Sequence, residues 1–103
     1  MIFVETTVFT RRIRDLVSEE AYRIFQLKLS SKPDSGNLIK GSGGLRKIRW
    51  QATGRGKRGG LRIIYYWYPH SSKIYFLYVY QKNETEDLTA DQISFLKSLI
   101  NKE

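Results

Sequence analysis

Leu61-Arg62-Ile63-Ile64-Tyr65-Tyr66-Trp67-Tyr68, the turn residues Pro69-His70-Ser71-Ser72, and Ile74-Tyr75-Phe76-Leu77-Tyr78-Val79-Tyr80 read as two long strands joined by a short loop. Both runs are rich in β-branched and aromatic residues and are bounded by turn formers, and so short a connection makes the pair an antiparallel hairpin. The arms carry too many aromatic rings for a sheet with one solvated face. Both faces are therefore covered, or one lines a cleft.

Working outward, a further strand is expected at Leu45 to Gln51, where Arg46, Ile48 and Trp50 alternate with Leu45, Lys47 and Arg49, so that Lys47 and Arg49 share a face. A glycine-rich connector, Leu38 to Gly44, leads into it. Ile2-Phe3-Val4 reads as a short first strand, followed by Thr6 and Thr7 as helix caps. From Val8 to Leu16, Phe9, Ile13 and Leu16 recur at helical spacing, with Arg11, Arg12 and Arg14 on the other face. Ser18 followed by Glu19 and Glu20 opens a longer helix to about Ser31, which Pro33 ends. Thr89-Ala90-Asp91-Gln92 is a capping box before Ile93, Leu96, Leu99 and Ile100. The order predicts an α+β fold: an antiparallel twisted sheet of about four strands, two N-terminal helices and one C-terminal helix, in one domain over residues 1–103.

The composition is that of a globular chain, with no apolar run near the roughly 18 residues of a membrane span. Met1 to Val4 is too short for a signal peptide, so the expected location is cytoplasmic. With no cysteine and one histidine, His70, the sequence excludes thiol chemistry and His-pair metal motifs. Any chemistry falls to Lys, Arg, Tyr, Asp or Glu. The net charge of +8 is unevenly spread: Ser35 to Asn83 holds ten basic residues and no acid, whereas the rest holds eight basic and ten acidic. A one-sign block of this kind points to a partner dense in negative charge, such as nucleic acid.

Gly54, Gly56 and Gly59 match G-x-G-x-x-G, but a dinucleotide loop opens a helix and this one opens the strand at Leu61. The loop Gly54 to Gly60 is either a hairpin connection with solvated charges or a loop whose backbone approaches phosphates. Arg62 stands in an otherwise apolar strand. It either pairs with Glu84, Glu86 or Asp87, or aims its fork at a phosphate from a rigid strand. Lys82, just after the second hairpin strand, is placed to join the same patch.

Three segments together carry a family resemblance: Gly43-Gly44-Leu45-Arg46-Lys47-Ile48-Arg49; Gly56-Lys57-Arg58-Gly59-Gly60 with Arg62-Ile63-Ile64-Tyr65-Tyr66; and Tyr80-Gln81-Lys82-Asn83-Glu84 closing with Asp87-Leu88. They resemble the HigB toxins of the RelE/ParE superfamily of type II toxin-antitoxin systems. Phe3-Val4-Glu5 and Tyr22-Arg23-Ile24-Phe25-Gln26 extend the similarity over nearly the whole chain. The resemblance implies a RelE-like domain and a ribosome-dependent endoribonuclease that cuts messenger RNA in the decoding site and inhibits translation. The reaction implied is attack of a ribose 2′-hydroxyl on the adjacent phosphate, without a metal or other cofactor.

Carried onto this sequence, the resemblance implies that Arg62 stabilises the scissile phosphate and that Lys82, after the last strand, acts beside it. Lys57 and Tyr80 complete the catalytic candidates, and Arg46, Lys47, Arg49, Arg55 and Arg58 are the RNA-binding ones. RelE itself carries an arginine and a downstream tyrosine near the final motif. Asn83 and Thr89 occupy roughly those places here, so Tyr80 is the nearest substitute for the tyrosine. The implied partners are a HigA-type helix-turn-helix antitoxin, the ribosome with its message, and operator DNA only through the antitoxin, with no membrane. Two other readings fit the residues: a non-catalytic basic RNA-binding module, and an inactive toxin homologue acting only through its antitoxin.

Overall fold

The computed structural model of the chain describes residues 1–51, 60–84 and 87–100. In chain order the elements are β1 (Ile2–Glu5), α1 (Thr7–Leu16), α2 (Glu19–Ser31), β2 (Asn37–Leu38), β3 (Arg46–Trp50), β4 (Leu61–Tyr68), a single 3₁₀ turn (Pro69–Ser71), β5 (Lys73–Gln81) and α3 (Ala90–Ser98). Each helix begins where a side chain meets a free N–H of its first turn. The Thr6 hydroxyl accepts from the Phe9 N–H, Ser18 from Ala21, and Thr89 and Gln92 cap each other reciprocally.

The five strands form one sheet in the order β1-β5-β4-β3-β2. The α+β class and the arrangement of helices are as the sequence predicts, and two details of the sheet differ. β1 lies parallel to β5, from Ile2 opposite Lys73 to Glu5 opposite Phe76, while every other pair is antiparallel. β2 adds a fifth strand of only two residues, Asn37 opposite Lys47 and Leu38 opposite Arg46. Neither detail has a local signal. No tight turn links β1 to its neighbour, and two residues are too few for an alternation to show.

Alternation along β4 gives the sheet two buried faces. Leu61, Ile63 and Tyr65 pack with Ile74, Phe76 and Val79 against Phe9, Ile13, Leu16, Phe25 and Leu29 of α1 and α2. The opposite face sets Leu45, Ile64, Leu77 and Tyr80 against Leu96 and Ile100, in and just after α3. Phe76 centres the first cluster, its ring 5.1 Å from Phe9, 5.9 Å from Phe3 and 5.9 Å from Tyr22. The aromatic wealth of the hairpin is thus spent on two cores, and burial of each such ring contributes about 1.5–3 kcal/mol.

One irregularity decides which side chains meet. Ile64 pairs with Tyr78 but Tyr65 pairs with Phe76, so Leu77 is an extra residue in β5. At this bulge Leu77 and Tyr78 both turn toward the α3 side, and the alternation restarts in the opposite phase. Tyr80 therefore shares a face with Arg62 rather than with Phe76.

Candidate functional site

At the end of the sheet where β4 begins and β5 finishes, Arg49, Arg62 and Tyr80 stand opposite one another on β3, β4 and β5. Cross-strand neighbours on one face lie about 4.5–5.5 Å apart at Cβ, so the three side chains form one rung. Lys47, Ile64 and Tyr78 form the rung two residues away. Lys47 and Arg49 share this face, as their alternation in the sequence predicts.

Each residue of the rung has a different setting. Arg49 is exposed, Arg62 is half-buried, and Tyr80 is fully buried. The Arg62 guanidinium donates to the Leu61 carbonyl at 3.3 Å. The Tyr80 hydroxyl is buried without a hydrogen-bond partner among the described residues. Burial pushes that phenol above its usual range; the charge of Asp87 adds to the rise and that of Arg62 opposes it. A buried hydroxyl left unpaired in a basic surround is poised to donate to an anion.

Lys82 lies one residue beyond β5. Its backbone N–H reaches the Gly60 carbonyl at 3.4 Å, and its side chain is exposed. Among the described residues, Asp87 is the acid that meets a basic side chain of this face. Its Oδ1 is 3.2 Å from Lys47 Nζ and accepts the Leu88 N–H at 2.9 Å. The Leu88 bond and then Lys47 hold its carboxyl below the usual range. Lys47 and Asp87 line a cavity of about 420 Å³ with Asn37, Lys40, Ile64 and Ile93. A larger groove, about 710 Å³, lies between the start of α1, β5 and α3, and is mostly apolar, with no basic residue in its lining among the described residues.

Not every sequence candidate joins this face. Arg46 points to the other side, where its guanidinium donates to the carbonyls of Asp34 at 3.1 Å and Gly36 at 2.8 Å. There it braces the turn before β2, with the Tyr65 hydroxyl bonded to Pro33 and Gly36. Lys57, Arg55 and Arg58, with the rest of the 52–59 segment, lie outside the described residues, as does Glu86. Of the acids considered for Arg62, Glu84 bonds Arg12 and Asp87 bonds Lys47. His70 sits in the 3₁₀ turn at the opposite end of the hairpin.

Two residues of the neighbourhood were not legible as such. Asp87 meets Lys47 only through contact across forty residues. Arg12 looks in sequence like one of three solvated arginines on α1, yet it reaches the turn after β5. Chemically the face can bind a phosphodiester through fixed guanidinium and ammonium groups and offer it one buried hydroxyl donor.

Comparison with known proteins bears on this face. Residues 36–102 match the model of a family described as the RelE toxin of the RelE/RelB toxin-antitoxin system. The matched span contains β2 to β5 and α3, and with them every residue of the rung. Among solved structures, the fold is similar to a chain in the crystal structure of the intact E. coli RelBE toxin-antitoxin complex. The TM-score is 0.59 at 16% identity, covering 78% of this chain and 94% of that one.

Proposed function

The chain belongs to the family of RelE toxins of toxin-antitoxin systems, and on that premise we propose that it is a HigB-type, ribosome-dependent messenger RNA endoribonuclease. The observation that carries the reading is the rung Arg49, Arg62 and Tyr80 on rigid strands, with Lys82 at its border.

In the proposed reaction the ribose 2′-oxygen attacks the adjacent phosphorus and passes its proton to solvent water. The bond from phosphorus to the 5′-oxygen breaks, leaving a 2′,3′-cyclic phosphate and a 5′-hydroxyl. The nucleophile belongs to the substrate, so the protein's task is to meet charge as it builds on the phosphoryl oxygens. Arg62, held by β4, serves this at the scissile phosphate with Lys82 beside it, while Lys47 and Arg49 track the flanking backbone. Lys57 is proposed as a further catalytic group, and Arg55 and Arg58 as further RNA contacts, on the sequence resemblance alone. Tyr80 keeps its proton at neutral pH and so donates, either to a phosphoryl oxygen or to the departing 5′-oxygen. The ribosome orients the message, and the toxin acts in the cytoplasm until a HigA-type antitoxin with a helix-turn-helix domain restrains it and links it to operator DNA.

The test is induction of wild type beside Arg62→Ala, with growth measured and transcript 5′ ends mapped. Wild type should arrest growth and leave codon-phased cuts, and a folded Arg62→Ala should do neither. Full toxicity in the variant overturns the assignment of Arg62, and arrest without phased cuts in wild type favours a binder without chemistry.

A further inference from the structure

We infer that Arg12 and Glu84 form a clamp that positions Lys82, and that both act on cleavage through that lysine. The inference rests on the proposed place of Lys82 beside the scissile phosphate and goes beyond it by naming what holds it there.

Arg12 lies on α1, whose Phe9, Ile13 and Leu16 are buried in the core, so the helix is a fixed platform. Its guanidinium makes three separate contacts. It stacks over the Tyr78 ring at 5.1 Å, its Nε donates to the Val79 carbonyl at 2.7 Å, and Nη2 donates to Glu84 Oε1 at 2.5 Å. The second contact has a clear origin in the topology. β1 pairs with β5 only as far as Phe76, and the Thr6 hydroxyl serves the Leu77 carbonyl at 2.8 Å. Beyond that point β5 has no strand on this side among the described residues, and Arg12 donates to the Val79 carbonyl.

Glu84 carries the constraint onward. The same Oε1 that meets Arg12 also accepts the Gln81 N–H at 2.8 Å, and the Glu84 N–H bonds the Gln81 carbonyl at 3.1 Å. One carboxylate oxygen thus joins α1 to both ends of the turn from Gln81 to Glu84. Lys82 sits inside that turn, and its own backbone bond, to Gly60, is long at 3.4 Å. The firm hold on the lysine comes from the Glu84 side. An exposed ion pair adds little to stability. Arg12, however, is already oriented by a ring and a carbonyl, so what the pair supplies is position. A shift of about 1 Å at a reacting group can cost about 100-fold in rate.

The experiment is a double-mutant cycle in single-turnover cleavage of a message held on ribosomes, using wild type, Glu84→Ala, Lys82→Ala and the double variant. Glu84→Ala should slow cleavage at saturating ribosome about tenfold or more, with half-saturation and thermal midpoint near those of wild type. In the Lys82→Ala background it should have no further effect. Arg12→Ala should show the same dependence on Lys82, with a lower thermal midpoint because it also leaves the Val79 carbonyl without its donor. An equal loss in both backgrounds, which a merely structural role produces, overturns the inference, and so does an inert Glu84→Ala. If Glu84→Ala does not fold, Glu84→Gln, which keeps the acceptor oxygen and loses the charge, completes the cycle with a smaller expected loss. A silent Lys82→Ala in a cleaving toxin removes the lysine's role and the clamp with it. A wild type that does not cleave instead removes the proposed function and takes the clamp down with it.

Discussion

Tyr80→Phe removes one oxygen from a side chain that is fully buried and leaves its hydroxyl unpaired among the described residues. A buried polar group without a partner costs about 1–3 kcal/mol, and phenylalanine keeps the ring that packs with Leu45, Ile64, Leu77 and Leu96. Taking the lower end, the variant should be more stable by about 1 kcal/mol, and for a chain near this size its thermal midpoint should rise by about 4–8 °C. Cleavage should move the other way. If the hydroxyl donates to the phosphoryl group or leaving oxygen, its loss should slow single-turnover cleavage about 100-fold or more, the usual weight of positioned acid catalysis. Thermal unfolding followed by circular dichroism and cleavage of ribosome-bound message measure the two effects on one preparation. Opposite signs are the expected result, because a polar group kept unsatisfied at a functional site is a stability cost retained for chemistry. A variant that melts lower refutes the orphaned hydroxyl. One that melts higher and cleaves like wild type refutes its catalytic use.

Asp87→Asn should release Lys47 from its 3.2 Å partner and add one cation to the face. Affinity for a single-stranded RNA oligonucleotide should rise at low salt, with the slope of log affinity against log salt steeper by about 0.7, and an unchanged slope would count against Lys47 as a phosphate contact. Arg49→Ala should make that slope shallower by a similar ~0.7, whereas Arg46→Ala should lower stability with the slope unaltered, since Arg46 braces the carbonyls of Asp34 and Gly36. Filter binding across a salt series and urea unfolding separate the two arginines. The Tyr22 hydroxyl donates to Glu5 at 2.5 Å, and burial, then that bond and the carboxylate's charge, raise it far above an ordinary phenol. The folded chain keeps this proton after the unfolded chain, whose phenols titrate near pH ~10, has lost it. The stability it contributes is therefore full below about pH 10 and falls as pH rises further. Tyr22→Phe should flatten the alkaline fall in urea midpoint, and an unchanged fall would place its origin elsewhere.

Most of the secondary structure was legible because its signals act over a few residues. Thr6, Ser18 and the Thr89–Gln92 box mark helix starts that the structure contains, and β4 spans Leu61–Tyr68 as its composition predicts. The candidate site was legible in part by the same means. Alternation along β3 puts Lys47 and Arg49 on one face, and by that rule sets Arg46 on the other, although its sequence context groups it with them.

By itself, then, the sequence determined where the helices and the long hairpin lie and that positive charge gathers in the middle of the chain, since capping, period and composition are local properties. Tertiary structure alone decided that β1 runs parallel to β5, that Asp87 faces Lys47, and that Arg12 reaches across to Glu84. It also decided the rung itself. Which residue of β5 stands opposite Arg62 depends on the register of the ladder, and the extra residue Leu77 moves that register by one. A one-residue slip exchanges the two faces of a strand, so the meeting of Arg62 with Tyr80 is a property of the assembled sheet that no window of sequence contains.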